Sequence, residues 1–195
     1  RDYGMAEHLD SDPLAEVVRY PHSVDREVVA FVAAGLSFGR VAAIRRGIRV
    51  ALKPLGSRPA ERLASLSVLD AQRAAAGFRY RWIGEDDLVA VYLMLGGAIR
   101  KHGALEPLFR RGMSPDAADV RPGARALVEG LRALVPEGAL GRRGVRYFLS
   151  NPDGPAAAKR LHMFLRWMVR PAGVDVDLGL WRSARPSQLI MPLDT

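Results

Sequence analysis

Lys159-Arg160-Leu161-His162-Met163-Phe164-Leu165-Arg166-Trp167-Met168-Val169-Arg170 is the stretch that decides the fold class. Leu161, Leu165 and Met168 share one helical stripe, with Met163, Phe164 and Trp167 beside it. Glu85 to Lys101 repeats the period with Leu88, Val91, Tyr92, Leu95 and Ile99, acids in its first turn and Lys101 in its last. Arg121 to Val135 adds Leu127, Val128, Leu131 and Leu134. Further helices are expected over Val28 to Val32, capped by Ser23 or Asp25 and ending near Gly35, and over Arg40–Leu55, Ala60–Ala75 and Leu105–Arg111. Phe78-Arg79-Tyr80-Arg81-Trp82 alternates aromatic and basic residues and reads as an extended connector. Gly141 to Gly144 reads as a basic turn, Ser150 to Pro155 as a strong turn, and residues 171–188 as a long connection. Seven or eight helices and almost no strand make the class all-α.

The 195 residues suit one domain or two small lobes sharing a core. Apolar residues are 49% of the chain, and mean hydropathy is near zero, as in a globular protein. No apolar run reaches the ~20 residues of a membrane span, and no signal peptide is visible. The absence of cysteine excludes disulfides, zinc–thiolate sites and iron–sulfur clusters within these residues.

A net charge of +8 and a pI of about 10.5 favour an anionic partner, nucleic acid first. Between Arg142 and Arg170 the chain carries Arg142, Arg143, Arg146, Lys159, Arg160, Arg166 and Arg170 against Asp153 alone. The six arginines are therefore candidates for phosphate contacts. Lysine use is more selective: 26 arginines stand beside only Lys53, Lys101 and Lys159. Arginine stays protonated and cannot serve as a nucleophile. Lys159 sits where its helix begins, and the positive field there, with Arg160 next to it, disfavours the ammonium form. A neutral amine can attack a sugar C1′ and form an imine. Leu189-Ile190-Met191-Pro192-Leu193-Asp194-Thr195 delivers an aspartate from a second element.

These motifs, KRLHMFLRWMVR, VDLGLW and LIMPLDT, resemble the signature of an uncharacterised bacterial family, domain of unknown function 2400. That family is similar to the helix-hairpin-helix DNA glycosylase superfamily, above all its archaeal 8-oxoguanine branch. The resemblance implies a two-lobed helical bundle of the glycosylase type. It implies Lys159 as amine nucleophile and Asp194 as the carboxylate that stabilises an oxocarbenium-like sugar. Residues 1–195 are then a single domain, truncated at its C-terminal end, with helical lobes sharing a cleft. The partner would be double-stranded DNA carrying a damaged base, flipped out before reaction. The protein is expected to be monomeric, cytoplasmic and nucleoid-associated, with no metal or other cofactor. Phe38 and His162 are candidate base contacts. Two features depart from endonuclease-III-like relatives: Asp153-Gly154-Pro155 replaces the Gly-x-Gly hairpin, and 35 residues separate Lys159 from Asp194. The hairpin is therefore altered. Any cluster-bearing segment after the aspartate lies beyond Thr195.

Other readings compete. A relative that binds nucleic acid without turnover would keep the basic residues alone. Gly35-Leu36-Ser37-Phe38-Gly39 matches a nucleophile elbow, which would make Ser37 a hydrolase nucleophile, but the parallel strands that motif needs are missing. Asp175-Val176-Asp177-Leu178-Gly179 lacks the later ligands of a calcium loop. His8, His22, His102 and His162 show no ligand spacing. Trp82, Tyr80, Trp167 and Trp181 are candidate stacking residues, with Trp167 favoured as core, and Arg79 and Arg81 are candidate phosphate contacts.

Overall fold

A computed structural model describes residues 12–154, 158–172 and 177–191. Among them are nine α-helices and one two-stranded hairpin. Helices α1 (Ser23–Leu36), α2 (Val41–Leu52), α3 (Pro59–Ser65) and α4 (Val68–Ala75) come first. Strands β1 (Arg79–Tyr80) and β2 (Ile83–Gly84) follow, then α5 (Glu85–His102), α6 (Glu106–Arg110), α7 (Arg121–Arg132), α8 (Arg143–Phe148) and α9 (Lys159–Val169). The class is mainly helical, as the periodicity indicates. Among the described residues, no helix is long and apolar enough to cross a membrane.

α5 is the central strut. α3 and α4 pack along it, α8 crosses its first half, and α7 meets it while also holding α6. Gly96 lets α3 close on α5, because a Cβ there would stand 2.2 Å from the Leu63 carbonyl oxygen. α9 packs on α1, and Phe164 lies edge-on to both Phe31 and Trp181, at 5.5 and 5.4 Å between ring centroids. Leu161, Phe164, Leu165, Trp167 and Met168 are buried, and Met163 is half-buried. The stripe read from the sequence is thus the face that seats α9.

The chain after α9 folds back onto it. The last carbonyls of a helix lack intrahelical donors. Here Leu178 N–H donates to the Trp167 carbonyl at 2.9 Å and Trp181 N–H to that of Met168 at 2.8 Å. Further on, Gln188 Nε2 donates to the Ala117 carbonyl at 2.6 Å, and Val120 N–H donates to the Gln188 carbonyl at 3.1 Å. Residues 177–191 are thereby pinned between α9 and the start of α7.

Four local expectations are corrected. The helix expected over Ala60–Ala75 breaks at Leu66, which is extended, and Ser67 starts a new helix by accepting the Asp70 N–H at 3.1 Å. Asp25 does not cap α1: buried, it accepts the Ala60 N–H at 2.8 Å and so ties α1 to α3. The connector at Phe78–Trp82 is a tight antiparallel hairpin, with Arg79 opposite Gly84 and Tyr80 opposite Ile83. Arg143 and Gly144, read as part of a turn, open helix α8.

Candidate functional site

Lys159 lies exposed on the first turn of α9. Lys159, His162, Met163, Arg166 and Arg170 follow helical spacing and line one groove of about 300 Å³. The opposite wall is Pro186, Leu189, Ile190 and Met191. The fold-back after Arg170 therefore brings Leu189-Ile190-Met191, the start of the LIMPLDT motif, against the lysine-bearing face of α9. Asp194, the expected carboxylate, follows Met191 in sequence but lies outside the described residues, as do Asp175 and the end of the LIMPLDT motif.

The groove combines cations with an apolar wall. His162 is buried, and burial holds its imidazole below the usual histidine value against a smaller opposing pull from Asp119. Its Nδ1 is buried with no hydrogen-bond partner among the described residues. Arg166 and Arg170 are braced from behind. Asp177 is buried and takes the Nε of each at 3.2 Å. The pair of acids suggestive of a calcium loop thus contributes one member to an arginine clamp.

The remaining arginines divide. Arg142 pairs with Asp86 of α5 at 2.9 Å. Asp153, the acid counted against the cluster, is engaged by Arg125 of α7 at 2.7 Å. Arg146 is exposed on α8. Arg160 and Arg143 lie instead on aromatic rings. The Arg160 guanidinium sits 4.7 Å from the Tyr147 ring and 5.7 Å from Phe38, and that of Arg143 sits 4.8 Å from Trp82. Neither has a carboxylate partner among the described residues, and the Arg160 Nε is buried without a hydrogen-bond partner there.

Phe38, an expected base contact, is only 9% exposed. Trp82 stacks on it at 4.5 Å, with Tyr80 and Tyr147 edge-on at 5.1 Å. The most exposed ring of this cluster is Trp82, at 37%. Tyr147 and Arg143 are neighbours of Trp82 that the sequence does not announce. The one available signal was the aromatic–basic alternation of Phe78 to Trp82, which gave no hint of what would stack behind it.

Ser37 is not placed as a nucleophile elbow requires. Helices α1 and α2 flank it, with no preceding strand, and its hydroxyl donates to the Ala33 carbonyl at 2.7 Å. It closes a helix end.

The family model described as Protein of unknown function (DUF2400) matches residues 12–195. The chain belongs to this family. The match spans both walls of the Lys159 groove and all of the Trp82 cluster. No curated protein and no solved structure matches the chain. Membership therefore brings no activity with it, and a functional reading must come from the side chains.

Proposed function

We propose that this DUF2400 protein binds DNA along the α8–α9 surface and excises a damaged base at Lys159. The observation that carries this reading is the position of Lys159: exposed at a helix start, in a groove whose far wall is the segment leading to Asp194. The glycosylase-like arrangement, with helical lobes sharing a cleft, is part of the same proposal. Support for a polyanionic partner comes from Arg143 and Arg160, which carry no carboxylate partner among the described residues.

In the proposed reaction the Lys159 amine attacks the sugar C1′ of a flipped nucleotide. The N-glycosidic bond breaks, and the base leaves with the bonding pair and takes up a proton. The nitrogen lone pair then opens the sugar ring, whose oxygen takes up a proton, to give an imine; hydrolysis of that imine, directly or after β-elimination has broken the 3′ C–O bond, releases the enzyme. Asp194 would offset the positive charge that develops on the sugar. Arg166 and Arg170, held by Asp177, would face the flanking phosphates, and His162 would contact the extruded base.

A panel of duplexes, each with one damaged base, tests this. Base release or strand nicking by the wild type on at least one duplex, lost in Lys159→Gln with binding retained, is the expected result. A second reading, binding without turnover, is favoured by the Trp82–Arg143–Arg160 surface, which suits nucleic acid without needing Lys159. Binding of the duplexes by wild type and Lys159→Gln alike, with no base release or nicking by either, would select it.

A further inference from the structure

The two non-glycine residues with left-handed backbone among the described residues are Ala158, at φ 43°, and Arg81, at φ 54°. Such a conformation is disfavoured for an L-residue, and it concentrates at functional positions. Ala158 immediately precedes Lys159. Arg81 begins the two-residue tip, Arg81-Trp82, that joins β1 to β2. The strain at Arg81 turns that tip sharply and presents Trp82 at the surface.

The tip is supported from below and flanked by positive charge. Phe38 stacks beneath Trp82 at 4.5 Å and Tyr147 meets it edge-on at 5.4 Å. Tyr80 hydroxyl donates to the Phe38 carbonyl, which fixes the hairpin on the loop after α1. Arg143 and Tyr147 lie one turn apart on α8 and serve the same cluster. The acids nearby are already engaged. Glu85 accepts the Gly77 N–H, Asp86 pairs with Arg142, and Asp87 accepts the Gly84 N–H. An exposed indole on a rigid aromatic base, ringed by Arg81, Arg143 and Arg160, matches the chemistry of an unpaired nucleobase and its phosphates. The ring face takes a base of any sequence, and guanidinium groups take the backbone.

We propose that Trp82 is a stacking platform for an unpaired base of a bound nucleic acid strand. Arg143, which covers the ring in the free protein, swings to the adjacent phosphate when the base arrives. Arg160, whose guanidinium covers Tyr147 of this cluster, directly follows Lys159 on the first turn of α9. A strand held on Trp82 would therefore run past the first turn of α9. This inference rests on the nucleic-acid reading above and assigns the contact that grips unpaired bases.

Tryptophan fluorescence reports this contact selectively. The chain has three tryptophans, and Trp167 and Trp181 are each 1% exposed. Titration with an oligodeoxythymidylate, followed by both intrinsic fluorescence and anisotropy of a labelled strand, gives stacking and binding together. Heparin, a polyanion without bases, is the control. Oligodeoxythymidylate should quench the fluorescence, whereas heparin should bind without quenching. Trp82→Ala should weaken oligonucleotide binding about tenfold or more and leave heparin binding nearly unchanged. Trp82→Phe should keep most of the affinity, which separates loss of the ring from loss of the fold. Binding without quenching, or equal weakening for oligonucleotide and heparin, would overturn the platform while leaving the nucleic-acid reading intact. Absence of binding to both oligodeoxythymidylate and duplex DNA at low salt would overturn both.

Discussion

Trp181 Nε1 donates to Glu27 Oε1 at 2.7 Å, joining the C-terminal segment to α1 across 154 positions of sequence. The other Glu27 oxygen accepts the Leu105 N–H at 2.6 Å. A single buried carboxyl thus locks α1, the start of α6 and the strand of chain that forms the groove's far wall.

Burial pushes the Glu27 carboxyl up from 4.5 to about 7, against the two hydrogen bonds that favour its ionised form. The folded state therefore holds the proton more tightly than the unfolded chain. The stabilisation is complete below the unfolded value and fades as pH rises through about 7. Stability by urea denaturation should fall between pH 4.5 and 7 by at most roughly 3 kcal/mol. Glu27→Gln should flatten that slope, and an identical slope in the variant would refute the assignment.

Gly35, in the last turn of α1, lies against the Phe148 ring at the end of α8. A Cβ there would lie 2.0 Å from the Phe148 ring. Gly35→Ala should cost about 1–3 kcal/mol by overpacking, and Phe148→Leu in the same chain should recover part of the loss. A neutral Gly35→Ala would show that the α1–α8 contact is looser than described.

Leu165 is fully buried on the seat of α9. Leu165→Ala should lower stability by ~2–5 kcal/mol, the cavity cost of such a truncation. A loss under ~1 kcal/mol in chemical denaturation would mean that this face of α9 is not core.

DNA affinity should fall steeply with salt, since bound phosphates release counterions. Arg160→Ala should reduce the slope of log affinity against log salt by about one unit. Arg142→Ala should change it less, because Asp86 already faces that guanidinium at 2.9 Å. A flat salt dependence in the wild type would contradict the whole polyanion reading.

Helical period made α5, α7 and α9 legible, because each keeps an apolar face through several turns. The break at Leu66 was not, since Leu63, Leu66 and Leu69 continue the spacing across a residue that is extended. The hairpin was hidden because two-residue strands carry no alternation to read. Within the candidate site, Lys159 stood out by residue type and by position at a helix start. The charge balance did not: Arg142 meets Asp86 from α5, and Asp153 is taken by Arg125 from α7, both pairings made by folding. The Trp82 cluster draws on the α1–α2 loop, the hairpin, α8 and α9, so no single stretch announces it.

In the proposed reaction the Lys159 amine forms an imine with a DNA sugar. The most direct measurement is borohydride trapping on a duplex with a single abasic site, followed by mass mapping of the cross-linked peptide. A stable covalent complex should form, with its DNA adduct mapped to Lys159 and lost in Lys159→Gln. Absence of a trapped complex under conditions where the duplex is bound, or an adduct mapped to Lys53 or Lys101, would contradict it.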